Sequence, residues 1–278
     1  MGFKDILVHV DSTVASTARV WISLALARRC SARVIGLHVI PNPDVPSYFK
    51  PSHIERIASL YRESAHEAAM MAESQCRKDV KDAGVETKLQ LAEGDTARSL
   101  AEHGRFADLL VVGQDDTENP PIIEPYSLPQ KVVMASGMPV LVIPVGPIPT
   151  SVGQRILVAW DGSREAARAV HDSLPLLRQA GQISLLAVDP NGQGHIGAGA
   201  NPAAMVAHLE RHGIVAEPVT TPPGERSITE ILLARFGEVG ADLLVMGAFG
   251  HSRLKEFLLG GVTYDLLQKL PAPVLMSH

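Results

Sequence analysis

Short apolar segments alternate with longer amphipathic segments along the whole chain of 278 residues. The short segments are rich in Val, Ile and Leu without polar alternation, which is typical of strands buried on both faces of a parallel sheet. The longer segments carry apolar residues at helical spacing and predict helices that cover such a sheet. The pattern therefore predicts an α/β fold.

Each half of the chain is predicted to hold five strands joined by helices. The predicted elements of the first half are strand 5–10, helix 14–30, strand 33–40, helix 52–83, strand 86–91, helix 95–104, strand 108–113, helix 127–136 and strand 139–144. Those of the second half are strand 155–160, helix 163–180, strand 182–188, helix 201–212, strand 214–220, helix 226–239, strand 242–247, helix 260–269 and strand 273–277. Right-handed crossovers then give two tandem, doubly wound, five-stranded parallel-sheet domains of Rossmann-like type.

The two halves are related by internal similarity. Matched segments recur in the same order: DILVHVDST at 5–13 with RILVAWDGS at 155–163, DLLVVG at 108–113 with DLLVMG at 242–247, and MPVLVIP at 138–144 with APVLMSH at 272–278. The interval from Gly113 to Pro139 equals that from Gly247 to Pro273, which indicates a duplicated domain. The Pro- and Gly-rich linker IPVGPIPTSVGQ places the boundary near Thr150, giving domains 1–150 and 151–278.

Composition narrows the class of function. The formal net charge is −5, so the basic face that nucleic-acid binding requires is not expected. Cys30 and Cys76 form no CxxC pair, which argues against disulfides and a structural zinc. The first apolar run is too short for a signal peptide, and no apolar window is long enough for a membrane span. We expect a cytoplasmic protein.

A glycine-rich stretch, VMGAFGHSRLKEFLLGGVTYDLL at 245–267, begins at the end of an apolar strand. Gly247 and Gly250 are separated by two residues, Gly260 follows after nine more residues, and Gly261 opens the last helix. Glycines let backbone N–H groups approach an oxyanion closely, and a helix N-terminus adds further unpaired N–H groups. The stretch therefore predicts a phosphate cradle, although it is neither GxGxxG nor a P-loop.

The spacing G-x2-G-x9-G, followed by a small residue and V-T, resembles the nucleotide loop of universal stress proteins. ILVAWDGS and PVLMSH, at the first and last strands of this half, extend the resemblance, and similar segments flank the whole chain. It implies a tandem member of an adenine nucleotide alpha hydrolase-like fold that binds ATP, AMP or ADP, with Mg²⁺ on the phosphates. The implied contacts are Ala159 and Asp161 at the ribose and any metal, Val188 at the adenine, and Gly247, Gly250, His251, Gly260, Gly261, Val262 and Thr263 at the phosphates.

Two features depart from this family pattern. Gly261 stands where the family usually has Ser or Thr, so a hydroxyl donor is lost that Thr263 is expected to replace in part. The first-half counterpart, GQDDTENPPIIEPYSLP, keeps only Gly113 and adds Asp115, Asp116, Glu118 and Glu124. Acidic side chains repel phosphate. We expect the first half to be a degenerate, structural or partner-binding domain.

Simpler interpretations of several residues stay open. Asp161 can act only as a helix N-cap. His9 and His38 are expected to be core or sheet-edge histidines. The stripe of Met70, Met71 and many alanines on helix 52–83 is expected to be a packing face rather than a partner-binding face. His208 and His212 are four residues apart on one helix, but zinc is not expected there. The run 191–201 fits a disordered crossover or a lid.

The leading hypothesis is an ATP-binding regulatory protein in the stress response, acting through nucleotide-dependent conformation or partner binding. GDTARS and WDGSRE are helix starts rather than nucleophile elbows, so no catalytic residue is predicted. A slow ATP hydrolase or nucleotidyl transferase, and a module for a non-nucleotide anion or lipid-like ligand, are the alternatives. The resemblance also implies that the last strands of the two halves pair as an internal pseudo-dimer, with a further homodimer possible.

Overall fold

The computed structural model describes residues 2–41, 51–81, 83–115, 127–147, 150–188, 201–221, 226–250 and 261–278. Its strands are β1 (Asp5–His9), β2 (Arg33–Ile40), β3 (Thr87–Glu93), β4 (Leu109–Gly113), β5 (Val140–Ile143), β6 (Arg155–Trp160), β7 (Gln182–Val188), β8 (Glu217–Thr221), β9 (Leu243–Gly247) and β10 (Val274–Ser277). Its helices are α1 (Val14–Cys30), α2 (Pro51–Val80), α3 (Thr96–Gly104), α4 (Leu128–Ser136), α5 (Arg164–Leu177), α6 (Pro202–Arg211), α7 (Ile228–Glu238) and α8 (Val262–Gln268). The elements predicted from the pattern are all present.

The strands form one ten-stranded sheet in the order β3-β2-β1-β4-β5-β10-β9-β6-β7-β8. Within each half the neighbouring strands are parallel, and the two halves follow the same order outward from their last strands. In the described part of the chain, β5 and β10 make the one antiparallel pair, with Leu141 opposite Leu275. The doubly wound halves are confirmed, and their last strands pair as the resemblance implied, which joins the two sheets into one.

Side chains alternate between two apolar layers, one on each face of the sheet. Along β1, Ile6 and Val8 are buried in one layer, and Leu7 is buried in the other. Both layers extend across the two halves, because β5 and β10 continue the sheet without a gap. Burial on both faces explains why the strand sequences are apolar throughout.

Short polar side chains determine where several helices begin. Ser127 and Ser227 each start a helix with a capping box, in which the serine hydroxyl accepts an N–H and the third helical residue bonds back. Asp95 caps α3 by accepting the N–H of Arg98 at 2.7 Å. These bonds satisfy N–H groups that a helix start otherwise leaves unpaired.

Of the stripe predicted to pack α2, the alanines pack and the methionines do not. Met70 and Met71 are 60% and 67% exposed, whereas Ala69, Ala72 and Cys76 are buried. A side chain added at Gly36 of β2 would lie 3.8 Å from the Cys76 sulfur. The helix therefore approaches the sheet through its small residues, and the methionines face outward. No helix in the described ranges is long and apolar enough to span a membrane.

Candidate functional site

A cleft opens at the carboxyl ends of the second-half strands, where the helices that follow β6 and β9, namely α5 and α8, lie on opposite faces of the sheet. It has a volume of about 150 Å³ and is lined by the ends of β6, β7 and β9 and by the first turns of α5, α7 and α8. In a doubly wound sheet the crossovers leave on opposite faces at this point, so a crevice is expected between them.

The cleft brings together residues that are far apart in the sequence. Those among the predicted contacts that line it are Ala159, Asp161, Val188, Gly247, Gly250, Val262 and Thr263. Gly261 occupies the N-cap position of α8, where it makes no side-chain cap hydrogen bond. His251 and Gly260 lie outside the described residues.

One wall of the cleft is apolar and was not predicted from the glycine spacing. Leu186 and Met246 are 1% and 5% exposed, and Leu232 and Ile228 contribute from α7. Apolar walls with a few polar groups are typical of small-molecule sites. The sequence signal that could have identified this wall was the apolar residue near the end of each strand, because the carboxyl ends of parallel strands meet at one edge of the sheet.

Trp160, another lining residue that was not predicted, contributes an indole N–H for which the described residues provide no hydrogen-bond partner. The side chain is 7% exposed, and its Nε1 is buried. A buried donor without a partner costs free energy, so the structure here holds a polar group that has not been satisfied. In the sequence, Trp160 could have been identified as a lining residue because it directly precedes Asp161, a predicted contact.

Gly247 is required by packing as well as by any ligand. A Cβ at this position would lie 2.5 Å from the backbone nitrogen of Ala166 and 2.6 Å from the carbonyl carbon of Glu165. The end of β9 therefore touches the backbone of α5 directly, which only glycine permits.

Ser163, not Asp161, is the N-cap of α5. Its hydroxyl accepts the N–H of Ala166 at 3.1 Å, whereas the Asp161 carboxylate accepts the N–H of Ser163 at 2.9 Å. The cap interpretation of Asp161 is therefore wrong, because a residue two positions later has the extended backbone that a cap needs. The Asp161 side chain lies exposed at the rim of the cleft.

A buried carboxylate, Glu165, lies beneath the first pair of glycines. It is 3% exposed, and a Cβ on Gly250 would lie 3.1 Å from its Oε2. Burial raises the pKa of Glu165, but a hydrogen bond from Arg164, an N–H at its own backbone and the charge of His278 outweigh this and lower it. An ionised carboxylate, paired with Arg164, therefore lies beneath Gly250.

Thr263 is already used inside the protein. Its hydroxyl accepts the N–H of Phe249 at 3.3 Å, and its side chain is 2% exposed. Phe249 has a φ of 56°, a left-handed conformation that is uncommon for a bulky residue. The hydroxyl thus holds the start of the loop against the start of α8. The phosphate contact that the resemblance implied for Thr263 stays a prediction.

In the first half, Arg19 lies against Gly113, the residue that corresponds to Gly247 of the second half. Ile6 pairs with Leu109 as Ile156 pairs with Leu243, so the two halves share one register. A Cβ on Gly113 would lie 2.5 Å from a guanidinium nitrogen of Arg19.

A buried polar cluster holds this arginine. Arg19 donates to the backbone oxygen of His9 at 3.0 Å and to the Asp11 carboxylate at 2.6 Å. His38 is bonded through Nδ1 to the Val10 oxygen at 2.9 Å, as expected for a satisfied sheet histidine. The second half has Ala159 and Ala169 where this cluster has His9 and Arg19.

The helix that corresponds to α8, namely α4, also begins differently. Ser127 and Gln130 form a capping box, and the Asp115 carboxylate lies 3.2 Å from the backbone nitrogen of Leu128, which donates to it. A carboxylate of the chain itself thus occupies the helix start to which an anion would bind. Asp116, Glu118 and Glu124 lie outside the described residues.

Comparison with known proteins agrees with this architecture. A model of the universal stress protein family matches residues 2–144 and again residues 153–278. The universal stress protein Slr1230 of Synechocystis sp. is 31% identical over 129 residues, a match that spans 44% of this chain and 41% of that protein. The chain therefore matches less than half the length of this relative.

Solved structures show the same fold over nearly the whole chain. A universal stress protein from Archaeoglobus fulgidus DSM 4304 aligns with a TM-score of 0.78 at 18% identity, over 98% of this chain and 95% of that one. A protein of unknown function from Pseudomonas aeruginosa PAO1, PA1789, aligns with a TM-score of 0.57 at 16% identity, over 99% and 92%.

Proposed function

The chain belongs to the universal stress protein family, and from this premise we propose that residues 151–278 bind an adenine nucleotide, as ATP with Mg²⁺. The observation that carries the proposal is the cleft at the ends of β6, β7 and β9, which brings together predicted contact residues from these three strands, from the segments after β6 and β9, and from α8. Ligands of doubly wound sheets bind at this place.

The lining residues support a proposed place in the cleft for each part of the nucleotide. Leu186, Val188 and Met246 offer an apolar wall for the adenine. Ala159 and Asp161 lie at the end of β6, where the ribose would follow. Gly250 lies just after the end of β9, and the backbone N–H groups there would face the phosphates.

The residues present fit a magnesium ion. Mg²⁺ prefers carboxylate oxygens and is usually held by one or two of them together with substrate phosphates. Asp161 lies at the rim of the cleft, and Glu165 lies beneath Gly250, next to the region proposed for the phosphates. The ion would neutralise phosphate charge that Glu165 alone would repel.

We propose one nucleotide per chain, because the first-half site is filled by Arg19 and its helix start is bonded by Asp115. The proposed action is regulatory. Gln114 of the first half donates to the backbone oxygens of Leu267 and Gln268 at 2.9 and 3.2 Å, at the end of α8. Since α8 begins at the cleft, a change at its start would reach the contact between the halves.

The test is a titration of the purified protein with ATP and Mg²⁺, in which binding is measured by calorimetry and by fluorescence. In a Trp21→Phe background the remaining tryptophan is Trp160, which lines the cleft and reports binding directly. Gly250→Asp adds a carboxylate beside Glu165 and should abolish binding. The matched control is Gly237→Asp, because a Cβ there meets nothing within 4 Å.

We expect saturation near one ATP per chain, retained in Gly237→Asp and lost in Gly250→Asp. Two sites per chain would show that the first half also binds. No saturation at about 1 mM ATP would refute the nucleotide proposal. Steady ADP release well above that of Gly250→Asp would identify an enzyme instead of a regulatory binder.

A further inference from the structure

Glu165 places a buried negative charge next to the segment proposed to face the phosphates. Its side chain is 3% exposed, and its two carboxylate oxygens have different neighbours. Oε1 accepts a hydrogen bond from Nε of Arg164, whereas Oε2 lies 3.1 Å from where a Cβ on Gly250 would be. One oxygen is therefore paired with an arginine, and the other lies against the glycine that follows β9.

The carboxylate is ionised at neutral pH, and Arg164 does not cancel its charge on the side of the glycine. Burial raises the pKa of Glu165, but hydrogen bonds from Arg164 and from its own backbone N–H, together with the charge of His278, lower it overall. The Arg164 side chain is 84% exposed, so water and salt screen its charge, whereas the buried carboxylate is screened much less. The side of this ion pair that faces Gly250 is therefore negative.

No basic side chain is found among the described residues that line the cleft. Their one charged member is Asp161, a second carboxylate, and the others are apolar, small or hydroxyl-bearing. In the described ranges, no group of three His, Cys, Asp or Glu side chains could hold a metal ion by itself. A polyphosphate would therefore meet Asp161 at the rim and Glu165 beneath Gly250, without a positive charge from this lining to offset them.

The fold does not need a glutamate at this position. Ser163 already caps α5 by accepting the N–H of Ala166 at 3.1 Å. The corresponding residue of the first half is Ala15, and α1 begins with no acidic residue in its first turn. An acid near a helix start favours the helix dipole, but this effect does not require burial beneath a ligand loop. The position of Glu165 is better explained by an effect on the ligand.

We propose that Glu165 makes the cleft select its ligand by charge, an inference that rests on the proposed nucleotide binding. Like charges repel strongly where water is excluded, so the free ATP anion is disfavoured and a nucleotide with fewer phosphates is accepted. Without Mg²⁺ the cleft therefore prefers AMP to ATP. With Mg²⁺ the order is reversed, because Asp161 and Glu165 then attract the ion that ATP carries. Glu165 is thus a specificity-determining residue for the charge state of the nucleotide.

The experiment titrates the full chain calorimetrically with ATP, AMP and adenosine, each in EDTA and again in excess Mg²⁺. Adenosine carries no phosphate, so its affinity reports the rest of the cleft. Glu165→Gln removes the charge and keeps an oxygen for Arg164, and Glu165→Ala introduces the residue found in the first half. The matched control is Glu102→Gln, which removes an exposed carboxylate that pairs with Arg98 on α3. Circular dichroism establishes that each variant is folded.

In EDTA we expect the parent and Glu102→Gln to bind AMP more tightly than ATP, and in excess Mg²⁺ to bind ATP more tightly. The two Glu165 variants should bind ATP in EDTA about tenfold more tightly than the parent, or better. Adenosine affinity should agree within about twofold in all four proteins. Unchanged ATP affinity in both Glu165 variants, or an equal gain for adenosine, would overturn this inference alone. No binding of any ligand by any variant, with or without Mg²⁺, would overturn the proposed function as well.

Discussion

Acidification from about pH 7.5 to about pH 4.5 is expected to destabilise the first half through His9. This side chain is 7% exposed and is surrounded by Arg19, Asp11 and His38. Burial, supported by the positive charge of Arg19, lowers the pKa of His9 from 6.5 to about 4, although Asp11 opposes the shift. The folded protein therefore keeps this ring neutral under conditions in which the unfolded chain protonates it.

The magnitude follows from the two pKa values. Because the folded-state pKa is the lower one, the stabilisation is fully present above pH 6.5 and is lost as the pH falls towards 4. Each unit of difference is worth about 1.36 kcal/mol, so the full effect is about 3 kcal/mol. At pH 4.5 about 2.5 kcal/mol of it is already lost.

Urea unfolding of the parent and of His9→Ala across this pH range measures the effect. The second half has Ala159 at the corresponding position, so alanine is compatible with the strand. Other carboxyl groups titrate in both proteins, and they cancel in the difference between the two free energies of unfolding. That difference should change by about 2.5 kcal/mol between pH 7.5 and 4.5, in favour of the variant at low pH. A difference that stays constant with pH would refute the reasoning.

Three further substitutions test the packing, each by urea unfolding. Gly247→Ala places a Cβ 2.5 Å from the Ala166 nitrogen and should destabilise by about 1–3 kcal/mol; full stability would disprove the close contact. Gly237→Ala, in α7 with nothing within 4 Å, should stabilise by about 0.5–1 kcal/mol, and a loss would mean that the helix is not regular there. Asp242→Ala removes a carboxylate that accepts several backbone N–H groups, including that of Arg155 at 2.9 Å, and should cost about 1–3 kcal/mol; a neutral result would show that water replaces it.

The fold could be predicted from the sequence because its strands leave few alternatives. The runs LLVVG and LLVMG in β4 and β9 have no polar position to face solvent, so each must be buried on both sides. The sites of several helix starts were also predictable, since Ser127 and Ser227 precede helical patterns. The location of the cleft followed from the strand order that these elements imply.

The polar interior of the sites could not be predicted, because it depends on neighbours distant in sequence. Arg19 looks like any helical arginine until Gly113, far along the chain, is placed against it. Glu165 reads as a first-turn acid of α5, and only the approach of Gly250 shows that it is buried under the loop. The N-cap interpretation of Asp161 was wrong, because the backbone conformation makes Ser163, two positions later, the cap of α5.

The differences between the halves have a thermodynamic consequence. Under the proposed function the first half binds no nucleotide, because Arg19 lies against Gly113 and Asp115 bonds the start of α4, so its stability does not depend on a ligand. Under the proposed function, ATP would stabilise only the second half, in proportion to the logarithm of its concentration relative to Kd. Since Leu141 of β5 pairs with Leu275 of β10, the two halves share one sheet. The structure of the first half is then expected to stay unchanged when the nucleotide binds. Any structural response to the nucleotide should therefore be largest in α8 and at its contact with Gln114, where the variable half meets the constant one.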